Sequence, residues 1–177
     1  MTLNLMVTLR KMQYNLRRVK MLKVLFVCTH NSARSQIAEA LLNEKGKGRI
    51  IAYSAGTEPA EEINPLVVEA MREIGIDISE KRPKSIENFL QESFDLVVTL
   101  CEKARNQCIN IFTNAVQGYW GIDDPHYFEG TYEEKLENIR RIIVELAMRI
   151  NLLLELPLEK LDDALIKQKI ENILRTK

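Results

Sequence analysis

Cys28 stands six residues ahead of Arg34 in the run Cys28-Thr29-His30-Asn31-Ser32-Ala33-Arg34-Ser35. The spacing of a thiol and a guanidinium carries little information by itself; its setting carries more. An apolar run, Lys23-Val24-Leu25-Phe26-Val27, leads into Cys28, and a helical pattern follows the loop. A short loop wrapped between a strand end and a helix start turns successive backbone N–H groups inward, and the helix N-terminus adds about half a positive charge. A tetrahedral oxyanion such as phosphate or arsenate fits such a nest, with Arg34 donating a planar fork to two of its oxygens. The candidate oxyanion-binding set is therefore Thr29, His30, Asn31, Ser32, Ala33, Arg34 and Ser35. The same field favours thiolate over thiol: a cysteine of pKa ~8.5 commonly falls to ~3.5–7.5 in this kind of setting. Ser35 is placed to donate a hydrogen bond to the sulfur, and Asn31 tolerates the left-handed backbone that a tight loop needs. Cys28 is the candidate nucleophile. A module that only held an anion would not need an activated thiolate.

The elements that must position this loop follow from periodicity. Lys23–Cys28 is too short for a helix and reads as a buried parallel strand. Ile37, Ala38, Leu41 and Leu42 then share one helix face, with Gly46 and Gly48 marking its end. Ile50–Ser54 is the second strand. Asn64-Pro65 opens a helix whose core face is Leu66, Val67, Ala70, Met71 and Ile74, stopped by Gly75. A weaker helix is expected over Ser85–Gln91, a third strand over Asp95–Leu100 and a fourth over Ala115–Trp120. A long helix runs from Tyr132 to about Glu155, with Ile139, Ile142, Ile143, Leu146 and Ile150 as its buried stripe, and Pro157 breaks it. Alternating strands and helices imply an α/β fold: a single domain with a four-stranded parallel sheet and helices on both faces. Chemistry gathers at the carboxyl ends of such strands. Cys28 and Cys101 each follow a strand directly and Asp124 lies in the loop after the fourth, so all three reach one rim.

Bulk properties narrow the function classes. The 177 residues carry 25 Lys+Arg and 25 Asp+Glu, with no basic excess of the kind nucleic-acid binding leaves. No stretch approaches the ~20 apolar residues of a membrane span. Residues 1–21 form a basic arm, read as a loose tail or an upstream start before Met21; its apolar residues precede its charges, unlike a signal peptide. Three cysteines, 28, 101 and 108, are an odd and sparse set, as expected of free thiols in the cytoplasm. The two histidines, His30 and His126, are too isolated for a zinc site, so no metal is expected.

Cys28-x-x-Asn31-x-x-Arg34-Ser35 after an apolar strand resembles the low-molecular-weight protein tyrosine phosphatase superfamily, which includes the thioredoxin-coupled arsenate reductases. The likeness covers about residues 22–150, including Tyr53-Ser54-Ala55-Gly56 and Trp120-Gly121-Ile122-Asp123-Asp124-Pro125. It implies that Cys28 attacks the oxyanion, Arg34 binds it, and Asp124 protonates a leaving oxygen. The residues alone do not choose between Asp124 and its neighbour Asp123, which could equally be a capping residue.

The other two cysteines separate the branches. Hydrolysis of a phosphate ester needs one thiolate and one acid, whereas arsenate reduction takes two electrons and so a thiol pair. Cys101 and Cys108, seven apart, look like the reductase relay, in which the corresponding pair flanks a short helix and a thioredoxin-type protein is the external reductant. Seven helical residues rise about 10.5 Å, and bridged Cα atoms lie ~4.4–6.8 Å apart, so the pair cannot bond while that segment is helical. Ala33 stands where the phosphatase branch usually has a second loop cysteine, and Gln36 matches the reductases where that branch usually has a proline. Ile109, where a proline commonly follows the third reductase cysteine, and the aromatic run His126-Tyr127-Phe128 point the other way. Some reductases bind a potassium ion through Asn, Ser, Glu and Asp positions. Asn31, Ser54 and Glu39 fit, but the Asp position holds Lys84, which leaves that ion open; no bound cofactor is expected. The domain is expected to span residues 22–156, with an additional C-terminal helix over 157–177 capped by Asp162 or Asp163. The apolar cluster Leu152, Leu153, Leu154, Leu156 and Leu158 is expected to pack within a monomer rather than form a dimer interface.

Overall fold

The computed structural model describes residues 21–156 together with Ala164, Leu165, Gln168, Lys169 and Asn172, which are helical. The basic arm up to Lys20, the capping residues Asp162 and Asp163, and the rest of the expected C-terminal helix lie outside the described residues.

Four parallel strands, β1 (Leu22–Cys28), β2 (Ile50–Gly56), β3 (Leu96–Thr99) and β4 (Val116–Tyr119), form one sheet in the order β2-β1-β3-β4. Among the residues up to 156, α1 (Arg34–Lys45), α2 (Pro65–Glu73) and α3 (Glu102–Cys108) lie between the strands, and α4 (Tyr132–Leu154) follows the last of them. β1 is central and alternates its side chains between the two faces. Val24, Phe26 and Cys28 join the larger core, with Ile37 and Leu41 of α1, Val67 and Met71 of α2, and Ile139, Leu146 and Ile150 of α4. Leu25 and Val27 point the other way, into a smaller core with Phe89, Phe94, Val97, Ala104, Cys108 and Phe112. No helix among the described residues is long and apolar enough to cross a membrane.

Local chemistry sets the helix ends. Asn64 caps α2, its Oδ1 accepting from Leu66 N–H at 3.0 Å, with Pro65 at the first position. Thr131 and Glu134 close a capping box at the start of α4. Three expectations need correction. Ile74 is not on the core face of α2: the helix ends at Glu73, Gly75 takes φ +81°, and Ile74 is left as an exposed cap. The helix expected over Ser85–Gln91 is one 3₁₀ turn, Ile86–Phe89; it buries those two side chains and needs no further length. Of the leucine cluster, Leu153 and Leu156 are buried but Leu152 faces outward at 44% exposure.

Candidate active site

The loop after β1 is shaped by where its carbonyls go. Those of Cys28, Thr29, His30 and Ser32 accept from the N–H groups of Thr57, Glu58, Ala60 and Asn64 at 2.8–3.1 Å. With these carbonyls turned out toward the segment after β2, Asn31 N–H points to Cys28 Sγ at 3.2 Å. Asn31 takes φ +51°, the left-handed conformation its type tolerates. α1 opens without a side-chain cap, so its first N–H groups remain available to an anion.

Gly56 makes the close approach possible. A Cβ there would lie 2.7 Å from Thr29 O and 3.0 Å from Asn31 Cβ. Gly56→Ala is therefore expected to destabilise the protein by about 1–3 kcal/mol and to weaken inorganic phosphate binding by displacing the loop. Thermal unfolding and a phosphate titration measure both effects; no change in either would contradict this packing.

The sulfur of Cys28 is 2% exposed as a residue and lies 3.0 Å from Ser35 Oγ. The direction of that bond follows from its neighbours. Lys84 N–H can only donate, so the atom of Asn31 facing it at 2.7 Å is Oδ1. Asn31 Nδ2 must then donate to Ser35 Oγ at 2.7 Å, which leaves the Ser35 hydroxyl hydrogen for the sulfur. Gln36 Nε2 also donates to Asn31 Oδ1, at 3.0 Å, and to Arg82 O. The loop asparagine is thus locked by two residues, Gln36 and Lys84, whose structural role no local signal in the sequence marks.

Arg34 is 3% exposed. Its Nη1 donates to Ile122 O at 3.0 Å and its Nη2 to Asp124 Oδ2 at 2.5 Å, whereas Nε is buried with no partner among the described residues. A buried guanidinium N–H without an acceptor is costly, and an oxyanion in the nest would supply one. Asp124 also caps the 3₁₀ turn Pro125–Tyr127 through His126 N–H at 3.1 Å. Asp124 faces Arg34 while Asp123 is exposed, so the carboxylate at the site is that of Asp124. At the rim, the rings of His30 and His126 lie 5.7 Å apart and tilted at 57° to each other.

Cys101 stands at the N-cap position of α3, half-buried, with its Sγ 3.3 Å from Thr29 Oγ1. It packs against both cores. Cys108, the last residue of α3, is fully buried in the smaller core, and burial first, then the neighbouring Cys101, pushes its thiol up to about 12. The three thiols are free. Cys28 and Cys108 therefore lie on opposite faces of the sheet, with Cys101 at the border between them.

The potassium donors can be tested against this geometry. Glu39 is buried, and its two carboxylate oxygens are already engaged by the ammonium groups of Lys81 and Lys84, Ser54 donating to the second as well. A further cation does not fit among donors that already hold two. No group of three or more His, Cys, Asp or Glu among the described residues is placed to hold a metal ion.

Comparison with known proteins agrees with this architecture. An arsenate reductase of Halalkalibacterium halodurans is 45% identical over 127 residues, 72% of this chain and 91% of the relative. That of Bacillus subtilis is 39% identical over the same shares. Among solved structures, an arsenate reductase in the phosphate binding state matches with a TM-score of 0.66 and 32% identity, covering 76% of this chain and 97% of that one. A low molecular weight protein tyrosine phosphatase from T. tengcongensis matches with a TM-score of 0.59 and 29% identity, covering 73% and 95%. The family model for low molecular weight phosphotyrosine protein phosphatases matches residues 23–160. The fold, the loop and this match agree, and the chain belongs to the low molecular weight phosphotyrosine protein phosphatase family.

Proposed function

We propose that this chain reduces arsenate to arsenite through a relay of Cys28, Cys101 and Cys108 that a thioredoxin-like dithiol protein recharges, in a reducing compartment such as the cytoplasm. The observation that carries the reading is Cys101, whose sulfur contacts the residue next to Cys28 at 3.3 Å. Arsenate reductases among the relatives support it.

Arsenate enters the nest and takes the Arg34 N–H groups, replacing Asp124 as acceptor. The Cys28 thiolate attacks arsenic and an arsenate oxygen leaves as water, giving a thiol–arsenic(V) adduct. The Cys101 thiolate attacks Cys28 Sγ, forming an S–S bond; the S–As electron pair stays on arsenic, which leaves as arsenite. Cys108 then attacks Cys101 Sγ, expelling the Cys28 thiolate and leaving a Cys101–Cys108 disulfide. An external dithiol returns the two electrons.

The second reading is hydrolysis of phosphate monoesters through a Cys28 phosphocysteine. Its favouring observation is Asp124, whose side chain, 18% exposed, touches both the Arg34 fork and solvent, where a leaving oxygen would be protonated. The deciding experiment follows NADPH oxidation with arsenate, thioredoxin and thioredoxin reductase, beside hydrolysis of an aryl phosphate. Arsenate-dependent NADPH oxidation, equimolar with arsenite formed, is the expected result. Aryl phosphate turnover without any arsenate-dependent oxidation would favour the second reading.

A further inference from the structure

One buried charged cluster is not used by any step above. Glu39 sits on the covered side of α1, only 7% exposed, and it is ionised against the trend of burial. Burial opposes its charge, but Lys84 and hydrogen bonds from Lys81 and Ser54 outweigh that and hold its carboxyl below the usual carboxylate range. Lys84 Nζ lies 3.1 Å from Glu39 Oε2 and 3.3 Å from Ser54 Oγ, while Lys81 Nζ takes Oε1. The backbone of Lys84 is equally engaged. Its N–H donates to Asn31 Oδ1 at 2.7 Å, and its carbonyl accepts from Gly56 N–H at 2.7 Å. One residue thus joins the buried carboxylate to the asparagine that orients Ser35 and to the glycine packed beneath the loop.

We infer that Lys84, seconded by Lys81, is a built-in cation: its ammonium stands where a monovalent metal ion would bridge Glu39 and Ser54, and it positions the oxyanion loop through Asn31. The inference holds whichever oxyanion chemistry the loop performs. A bound ion stabilises only as the logarithm of one plus its concentration over its dissociation constant, and so fades when the ion is scarce. A tethered ammonium is always present, so the loop geometry is independent of the salt in solution. Lys84 is a positioning residue here; it acts on the loop without touching the oxyanion.

The test measures inorganic phosphate affinity and the thermal midpoint in KCl and in choline chloride at equal ionic strength. Wild type is expected to show the same values in both salts. Lys84→Met keeps the backbone N–H to Asn31 but removes the ammonium; its phosphate affinity is expected to fall about tenfold in choline chloride. KCl or NH4Cl is expected to restore most of it, because either ion can enter between Glu39 and Ser54. The double variant Glu39→Gln/Lys84→Met removes both charges, folds without an unpaired buried carboxylate, and is expected to be insensitive to K⁺. The inference is overturned if wild type binds phosphate more tightly or melts higher in KCl than in choline chloride. It is equally overturned if Lys84→Met matches wild type in choline chloride, or if neither ion restores the loss. Should Lys84→Met fail to fold in choline chloride, refolding on addition of KCl supports the inference and failure to refold rejects it.

Discussion

Replacing Cys101 with Ser is expected to abolish arsenate reduction while sparing hydrolysis of an aryl phosphate. Reduction needs a second thiol to take over the Cys28 sulfur and return an electron pair to arsenic, and geometry offers one donor. Cys101 Sγ lies against Thr29, at the border of both cores and half-buried. Cys108 cannot substitute for it in the folded chain. It is sealed in the smaller core with its thiol pushed up to about 12 by burial and the neighbouring Cys101, so it stays protonated at neutral pH. Arsenate-dependent NADPH oxidation should therefore fall at least ~10³-fold, whereas aryl phosphate hydrolysis, which uses only the loop and an acid, should stay within about threefold. Serine retains a polar atom toward Thr29 and disturbs little. A variant that still reduced arsenate would remove Cys101 from the relay. Equal loss of both activities would make Cys101 part of the loop's architecture instead.

The parts of this site that adjoin one another in sequence were legible there, and the parts that meet across the fold were not. An apolar run, a polar turn and a helical pattern are local signals, so the β1–loop–α1 unit and the left-handed Asn31 follow from types and spacing. The parallel sheet follows from alternation of elements. The failures have local causes as well: Gly75 takes the left-handed position and pushes Ile74 out of α2, and a single buried pair, Ile86 and Phe89, suffices to anchor a 3₁₀ turn. The resemblance pointed to Asp124, but the residues alone left Asp123 equal to it; the physical reason for the choice is Arg34, 90 positions earlier in the chain, which faces Asp124. Lys84 shows the limit most clearly. As a letter it marked a missing aspartate. Only the contacts to Glu39, 45 positions away, and to Ser54, 30 away, show a cation where a cation ligand was sought.

Cys108→Ser is expected to convert a continuous reductase into one that stops after a single arsenite per chain, with Cys28 and Cys101 joined in a disulfide. The reasoning starts from α3. Cys101 caps it and Cys108 ends it, so the bond between them requires the helix to open, given a rise of about 10.5 Å against a permitted Cα separation of ~4.4–6.8 Å. The helix is suited to open. It has seven residues, of which only Ala104 and Cys108 are buried, and isolated helices under ~12 residues are marginal in water. Its remaining ties are peripheral: Lys103 to Glu58 at 2.7 Å, and Arg105 over the Tyr119 ring at 5.0 Å. Opening also brings the Cys108 thiol out of the core that keeps it protonated, so exposure and activation come in one event. Serine at 108 can be exposed in the same way but has no sulfur to accept the bond, and Cys28 stays oxidised. A burst of arsenite equal to the enzyme present should be followed by turnover lower by at least ~10²-fold. Oxidised wild type should lose amide protection over residues 102–108, while reduced wild type keeps it. Sustained turnover by Cys108→Ser with thioredoxin would mean that the reductant reaches the Cys28–Cys101 bond directly and that α3 never has to unwind.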